Sequence, residues 1–251
     1  MDERITFANP SGDALAAVLS TPERPNGRGV VLLHCFLCTK YHRIMRALCD
    51  SLVAGGFTVL RFDFSGNGES GGHLEESTYS KMVGDVESAV SVLEKRGITK
   101  IGLAGHSMGA MLSLLSAHAD KRVGAVAFIA GSSAAARVKE IFTPGVLEKV
   151  EKEGIADTFI YGRQIKIRRE FLHDLERYDV KPAAEELKRP LLIVHGTRDD
   201  VIPPYHAEDL YGWASEPKTL EWIEGADHLF SDDAHLRELA GRVRAWFAKN
   251  L

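Results

Sequence analysis

An apolar run, Ile101-Gly102-Leu103-Ala104, leads directly into Gly105-His106-Ser107-Met108-Gly109, and an apolar helical pattern over 107–119 follows at once. A chain that turns from strand to helix within so few residues holds the central residue in strained backbone geometry. Side chains at the two flanking positions would collide with neighbouring chain, and glycine removes them. Such a turn lifts the Ser107 hydroxyl clear of the sheet. It also sets the hydroxyl beside a helix N-terminus, whose dipole favours developing negative charge. In a chain with 23 glycines the pentapeptide alone carries little weight, so the strand before it and the helix after it decide the reading.

The rest of the chain repeats the same alternation. Strands are predicted near 4–7, 14–20, 29–34, 58–62, 100–105, 123–130, 191–195 and 219–223, the first two as an antiparallel hairpin. Helical spacing fits 43–54, 78–95, 107–119, 204–213 and 234–249. Near-continuous apolar strands between amphipathic helices predict a mostly parallel sheet covered on both faces. The alternation breaks from residue 131 to about 185, where helical pieces carry the aromatics Phe142, Phe159, Tyr161 and Phe171. So long an insertion in a compact α/β chain predicts a cap over a site, and the whole of 1–251 is otherwise read as one domain.

A serine is a poor nucleophile at neutral pH, so a base and an orienting acid should follow it. Beyond the strand at 191–195 comes Gly196-Thr197-Arg198-Asp199-Asp200-Val201-Ile202-Pro203, with two carboxylates in competition. The loop after a late parallel strand lies at the same sheet edge as the Ser107 turn, so Asp199 is the acid expected there and Asp200 a turn former. After the last strand stands Gly225-Ala226-Asp227-His228. The order Ser, Asp, His over successive strand-end loops singles out His228 from the 10 histidines of the chain. Donors for a developing oxyanion are expected from the backbone N–H of Met108 and of Phe36, in the turn Leu33-His34-Cys35-Phe36. His34 is expected to brace that turn. Cys35 and His106, with Phe142, Tyr161 and Phe171 of the insertion, are the candidate pocket residues.

Other function classes lose support. The formal charge of −4, from 31 Lys+Arg and 35 Asp+Glu, exerts no bulk pull on nucleic acid or anionic membrane. Lys166-Ile167-Arg168-Arg169 is basic, but acidic neighbours predict an ion-paired, solvated surface. Gly66-Asn67-Gly68-Glu69-Ser70-Gly71 has the spacing of a dinucleotide cradle; acidic residues rather than a helix follow it, so it is read as a bend. The charged N-terminus does not resemble a secretory signal, and no apolar run approaches the roughly 18 residues of a membrane span. Cys35 and Cys38 form a C-x-x-C, a pattern open to zinc ligation, a redox pair or neither. Without a second such pair no four-ligand zinc site is in sight. The expectation is therefore a cytoplasmic protein with reduced cysteines, no metal and no cofactor.

At these residues the chain resembles the α/β-hydrolase superfamily, in the order of its nucleophile, acid and base and over nearly its whole length. The pieces are His34-Cys35-Phe36, the segment from Arg61 to Ser70, the turn from Gly105 to Gly109, the acid loop ending in Pro203, and Gly225–His228. It is similar to small serine esterases of the cinnamoyl and feruloyl type, and to the hydrolase half of bifunctional hydroperoxide-stress proteins, which share the His-Cys-Phe turn. The resemblance implies a mostly parallel sheet of about eight strands, with Ser107, Asp199 and His228 acting on a small-molecule ester. Thioesters, aminopeptidase-like amides and a catalytically silent binding role are the alternatives. The family position of the acid maps onto Asp199. Cys35 stands where most relatives have glycine, which would narrow the acyl pocket or expose it to oxidation. Oligomeric state is not legible.

Overall fold

The computed structural model describes residues 1–160 and 162–251, which leaves Tyr161 outside the described residues. Strand β1 (Asp2–Ala8) turns back into β2 (Ala14–Ser20) as the predicted hairpin. There follow β3 (Arg28–Leu33), α1 (Arg43–Ala54), β4 (Thr58–Phe62), α2 (Tyr79–Glu94), β5 (Lys100–His106), α3 (Met108–Ala119) and β6 (Val123–Ile129). The insertion carries α4 (Pro144–Glu153), β7 (Ile155–Ile160), β8 (Arg163–Arg168) and α5 (Arg169–Leu175), and α6 (Val180–Glu186) leads back to the sheet. The chain closes with β9 (Leu191–Gly196), α7 (Tyr205–Trp213), β10 (Lys218–Ile223) and α8 (Asp233–Asn250). Among the described residues eight strands form one sheet, in the order β1-β2-β4-β3-β5-β6-β9-β10. From β4 to β10 every pairing is parallel, while β2 joins β4 antiparallel.

The apolar strands sort their side chains by parity. Val31 and Leu33 of β3 and Leu191 and Ile193 of β9 enter the core beneath α2, α3 and α6. Val30, Leu32, Leu192 and Val194 enter the other core, beneath α1 and α8. A strand buried on both faces has no polar side, which is why these runs lack the alternation of a half-exposed strand. Each such aliphatic side chain contributes about 2 kcal/mol by leaving water. The two-layer cover holds the strands fixed at their carboxyl ends, where β3, β5, β9 and β10 each release a loop at the same edge of the sheet.

The insertion departs from expectation. Between residues 155 and 168 it is a β-hairpin, not helical pieces. Ile165 and Ile167 are buried while Gln164 and Lys166 face out, a period-2 pattern legible in the sequence beside the Gly162 turn, where φ is +75°. Phe142 and Phe171 are buried and pack edge to face at 6.5 Å. Phe159, at 71% exposure, faces solvent. The basic run is exposed or ion-paired, Arg168 with Glu76 at 4.0 Å and Arg169 with Glu151 at 3.9 Å. No helix among the described residues is long and apolar enough to cross a membrane.

Candidate active site

The turn between β5 and α3 sits where the chain leaves almost no room. A Cβ on Gly105 would lie 1.9 Å from the Gly109 carbonyl oxygen, and one on Gly109 would lie 2.2 Å from that of Leu33. Backbone therefore packs on backbone at both positions, and Ser107 between them takes φ +57°. A non-glycine residue holds that region only when the surroundings impose it. Here the Ser107 N–H donates to Ile129 O at 2.9 Å and fixes the turn to the end of β6.

His228, in the loop after β10, faces the hydroxyl. Its Nε2 lies 3.1 Å from Ser107 Oγ, and its Nδ1 lies 2.8 Å from Asp199 Oδ2. Asp199 Oδ1 accepts from the N–H groups of Val201 at 3.0 Å and Ile202 at 2.7 Å. A second histidine, His195 at the end of β9, places Nε2 3.1 Å from Asp199 Oδ2 and 2.8 Å from Ile202 O. Burial opposes the Asp199 charge, but hydrogen bonds from His195 and His228, the charge of His228 and the Ile202 N–H outweigh it and hold the carboxyl below the ordinary range. The acid is thus ionised and its lone pairs are spoken for, which leaves the His228 imidazole oriented with Nε2 toward Ser107.

The acid and base loops are tied to each other. Arg198 N–H donates to Ala226 O at 3.0 Å, and Gly225 N–H to Thr197 Oγ1 at 2.8 Å. A Cβ on Gly196 would meet Ala226 O at 2.3 Å. His106 corrects the sequence reading: it is fully buried and donates from Nε2 to His228 O at 2.9 Å, so it supports the base loop and does not line a pocket. Burial, and then the His228 charge, push the His106 imidazole well below its usual value, which keeps this support neutral.

The loop after β3 supplies the other side. His34 Nδ1 donates to Cys35 O at 2.8 Å and its Nε2 accepts from Phe64 N–H at 3.2 Å, bracing the turn as expected. Burial pushes this imidazole down to about 4. Further on, Lys40 is 1% exposed and its Nζ contacts Asp63 at 2.5 Å and Glu69 at 2.6 Å. The Gly66–Gly71 bend wraps this pair: Glu69 N–H donates to Asp63 Oδ2 at 2.9 Å, and a Cβ on Gly68 would lie 2.2 Å from the same oxygen. The glycine spacing thus serves a carboxylate of the chain itself. Cys35 and Cys38, expected reduced, are joined by a disulfide across Phe36 and Leu37, in a turn closed by Cys38 N–H on Cys35 O at 3.1 Å.

Two cavities meet at Ser107. One, of about 220 Å³, is lined by Phe36, Met108, Met111, Val138, Ile141 and Ile202 among others. The other, of about 360 Å³, is lined by Cys35, Leu37, Cys38, His42, Arg163 and Leu229, with His228 at its wall. Phe36 belongs to both, and neither its N–H nor that of Met108 donates to another group among the described residues. Phe142 and Phe171 line neither cavity: Phe171 lies 6.2 Å behind Phe36, so the predicted wall residues form the layer that backs the wall. The insertion reaches the site through other residues, Val138, Ile141 and Arg163, the last donating to Leu37 O at 2.8 Å.

Residues 30–242 match the model of the alpha/beta hydrolase family. The chain belongs to that family. Among solved structures it is similar to the esterase domain of a Rhodothermus marinus protein, at 29% identity, TM-score 0.80 and 99% and 98% coverage of the two chains. It shares the fold of Est1E from Butyrivibrio proteoclasticus with ferulic acid bound, at 23% identity, TM-score 0.85 and 98% coverage of both. It is also 30% identical over 164 residues to human mitochondrial palmitoyl-protein thioesterase ABHD10, covering 62% of this chain and 50% of that protein. The chain spans about half the length of the curated relatives it first matches, 55% and 57%. In this α/β hydrolase the predicted Ser107, Asp199 and His228 are brought into hydrogen-bond contact. Sequence reading missed His195, Lys40 and Asp63. A strand-end histidine four residues before the acid was the one available signal for His195, whereas the Lys40 pairing is made only by the fold.

Proposed function

We propose that this protein is a serine carboxylic-ester hydrolase, with Ser107 as nucleophile, His228 as base, Asp199 as its orienting acid and the N–H groups of Phe36 and Met108 as oxyanion donors. One observation carries the reading: the hydrogen-bonded line from Ser107 through His228 to an ionised Asp199 opens on cavities lined by Phe36 and Met108, whose amides donate to no other group among the described residues. His228 takes the Ser107 proton as the oxygen attacks the ester carbonyl, and Asp199 stabilises the imidazolium that forms. Each amide donor contributes about 3 kcal/mol to the tetrahedral intermediate. His228 then protonates the departing alcohol, and water activated by the same imidazole releases the acid from Ser107. Esterase relatives support this choice of bond, and the thioesterase relative supports the same acyl chemistry on a sulfur leaving group.

The insertion at 131–185 acts as the cap, and the modest cavities suit small or aromatic acyl groups. A side-by-side panel of p-nitrophenyl esters of rising chain length, hydroxycinnamate esters, acyl thioesters and aminoacyl amides tests this. Ester turnover should dominate, peak at short or aromatic acyl groups and vanish in Ser107→Ala. Near-parental turnover in that variant would overturn the assignment. Ile141→Ala should shift chain-length preference, and an unchanged profile would remove the cap role.

A further inference from the structure

Two cysteines alone cannot complete a four-ligand metal site, and the sequence holds no second C-x-x-C. The fold brings a third donor to them. His42, at the N-cap of α1, stands beside the Cys35–Cys38 turn, and one ligand atom from each of the three residues lies within 4.8 Å of the others. A tetrahedral site with metal–sulfur distances of about 2.3 Å and metal–nitrogen distances of about 2.0 Å has edges of about 3.6 Å, inside that limit. His42 Nδ1 is buried and has no hydrogen-bond partner among the described residues. All three residues line the larger cavity beside Ser107 and His228, so a fourth coordination position would face open space.

We propose that Cys35, Cys38 and His42 form a zinc site whenever the two cysteines are reduced. Two thiolates and an imidazole select a borderline-soft ion over Mg²⁺ or Ca²⁺, which require oxygen ligands. The two thiolate charges also neutralise a divalent ion, so no net charge is placed in a half-buried wall. The disulfide is the closed form of the site. A dithiol reductant opens it by exchange: the Cys35–Cys38 S–S bond breaks, both cysteines leave as thiols with the two electrons and two protons of the reductant, and the reductant departs as its own disulfide. Zinc then binds both sulfurs and displaces the two protons. An ion seated there stands in the cavity that serves Ser107, so filling the site blocks ester access. The binding claim itself does not depend on the esterase reading.

The test uses the whole chain, reduced with dithiothreitol and desalted without air, then titrated with Zn²⁺ by calorimetry, with the metal counted after a second desalting. One zinc per chain is expected on the reduced protein and none on the oxidised protein. Co²⁺ in place of zinc should give a thiolate-to-metal charge-transfer band. His42→Ala should weaken binding at least tenfold, and the double change Cys35→Ser with Cys38→Ser should abolish it. Should the double variant fail to fold, reduced protein alkylated at Cys35 and Cys38, which line the cavity, replaces it, with peptide mass mapping to check that buried Cys49 is unmodified. Equal zinc uptake by reduced and oxidised protein, or by parent and His42→Ala, would overturn the site. Ester turnover read in parallel stays separate: zinc that binds without inhibition leaves the site standing and removes only its effect on access.

Discussion

The elbow around Ser107 and the insertion at 131–185 are built on opposite terms. At the elbow backbone touches backbone: added side-chain carbons at Gly105, Gly109 and Gly196 would all fall within 2.3 Å of carbonyl oxygens. In the insertion Gly145 and Gly162 have nothing within 4 Å of an added carbon, and Phe159 points at solvent. The loops carrying Asp199 and His228 are sewn together by backbone hydrogen bonds, while the insertion reaches the site through a few side chains such as Arg163 of the hairpin and Ile141 before it. Close packing holds the Ser107 turn in one geometry, while the insertion buries Phe142, Ile165, Ile167 and Phe171 and leaves open positions at its surface.

The largest expected effect falls on the chemistry. Asp199→Asn keeps the shape of the acid but not its charge, and kcat for a good ester should drop by about 10⁴-fold with little change in KM. A loss under tenfold would mean that Asp199 is only a structural anchor of its loop. Next comes stability. Gly109→Ala should cost at least about 3 kcal/mol in denaturant unfolding, because backbone must move to admit the methyl group. Gly145→Ala, on an open helical position of the insertion, should be neutral or stabilise by up to about 1 kcal/mol. Equal effects at the two sites would erase the contrast between the elbow and the insertion.

The third test uses pH. His34 is buried and its folded value lies at about 4, below the ordinary 6.5, so the folded state favours the neutral ring. The unfolded chain binds the extra proton, which makes stability full above about pH 6.5 and progressively lost toward pH 4. Over that window the parent should lose about 3 kcal/mol more than His34→Gln, which retains one donor and one acceptor for Cys35 and Phe64. Parallel pH profiles for the two proteins would show that the turn is not braced by a neutral histidine.

Much of the core and the order of the loops that carry Ser107, Asp199 and His228 were legible because they rest on local rules. The near-continuous apolar runs of β3 and β9, glycine at 105 and 109, and the chain order of Ser107, Asp199 and His228 each leave a pattern in the sequence. The insertion was less legible. Its hairpin shows only in Ile165 and Ile167 alternating with polar residues, and Phe142 and Phe171 read as wall residues because nothing local reveals that they back Phe36. His106, placed next to the nucleophile, looked like a pocket residue; the β-strand geometry turns it away, toward the His228 carbonyl. A pairing across a long separation, such as Lys40 with Asp63, is made by the fold and leaves no spacing to read, whereas His195 stands only four residues before Asp199.

The central claim is that the hydrogen-bonded line at the sheet edge makes Ser107 a nucleophile, and a fluorophosphonate probe with peptide mass mapping tests it most directly. One adduct per chain is expected, on the Ser107 peptide, absent in Ser107→Ala and slowed by orders of magnitude in His228→Ala. Labelling elsewhere at a comparable rate, or an unreactive parent protein, would contradict it.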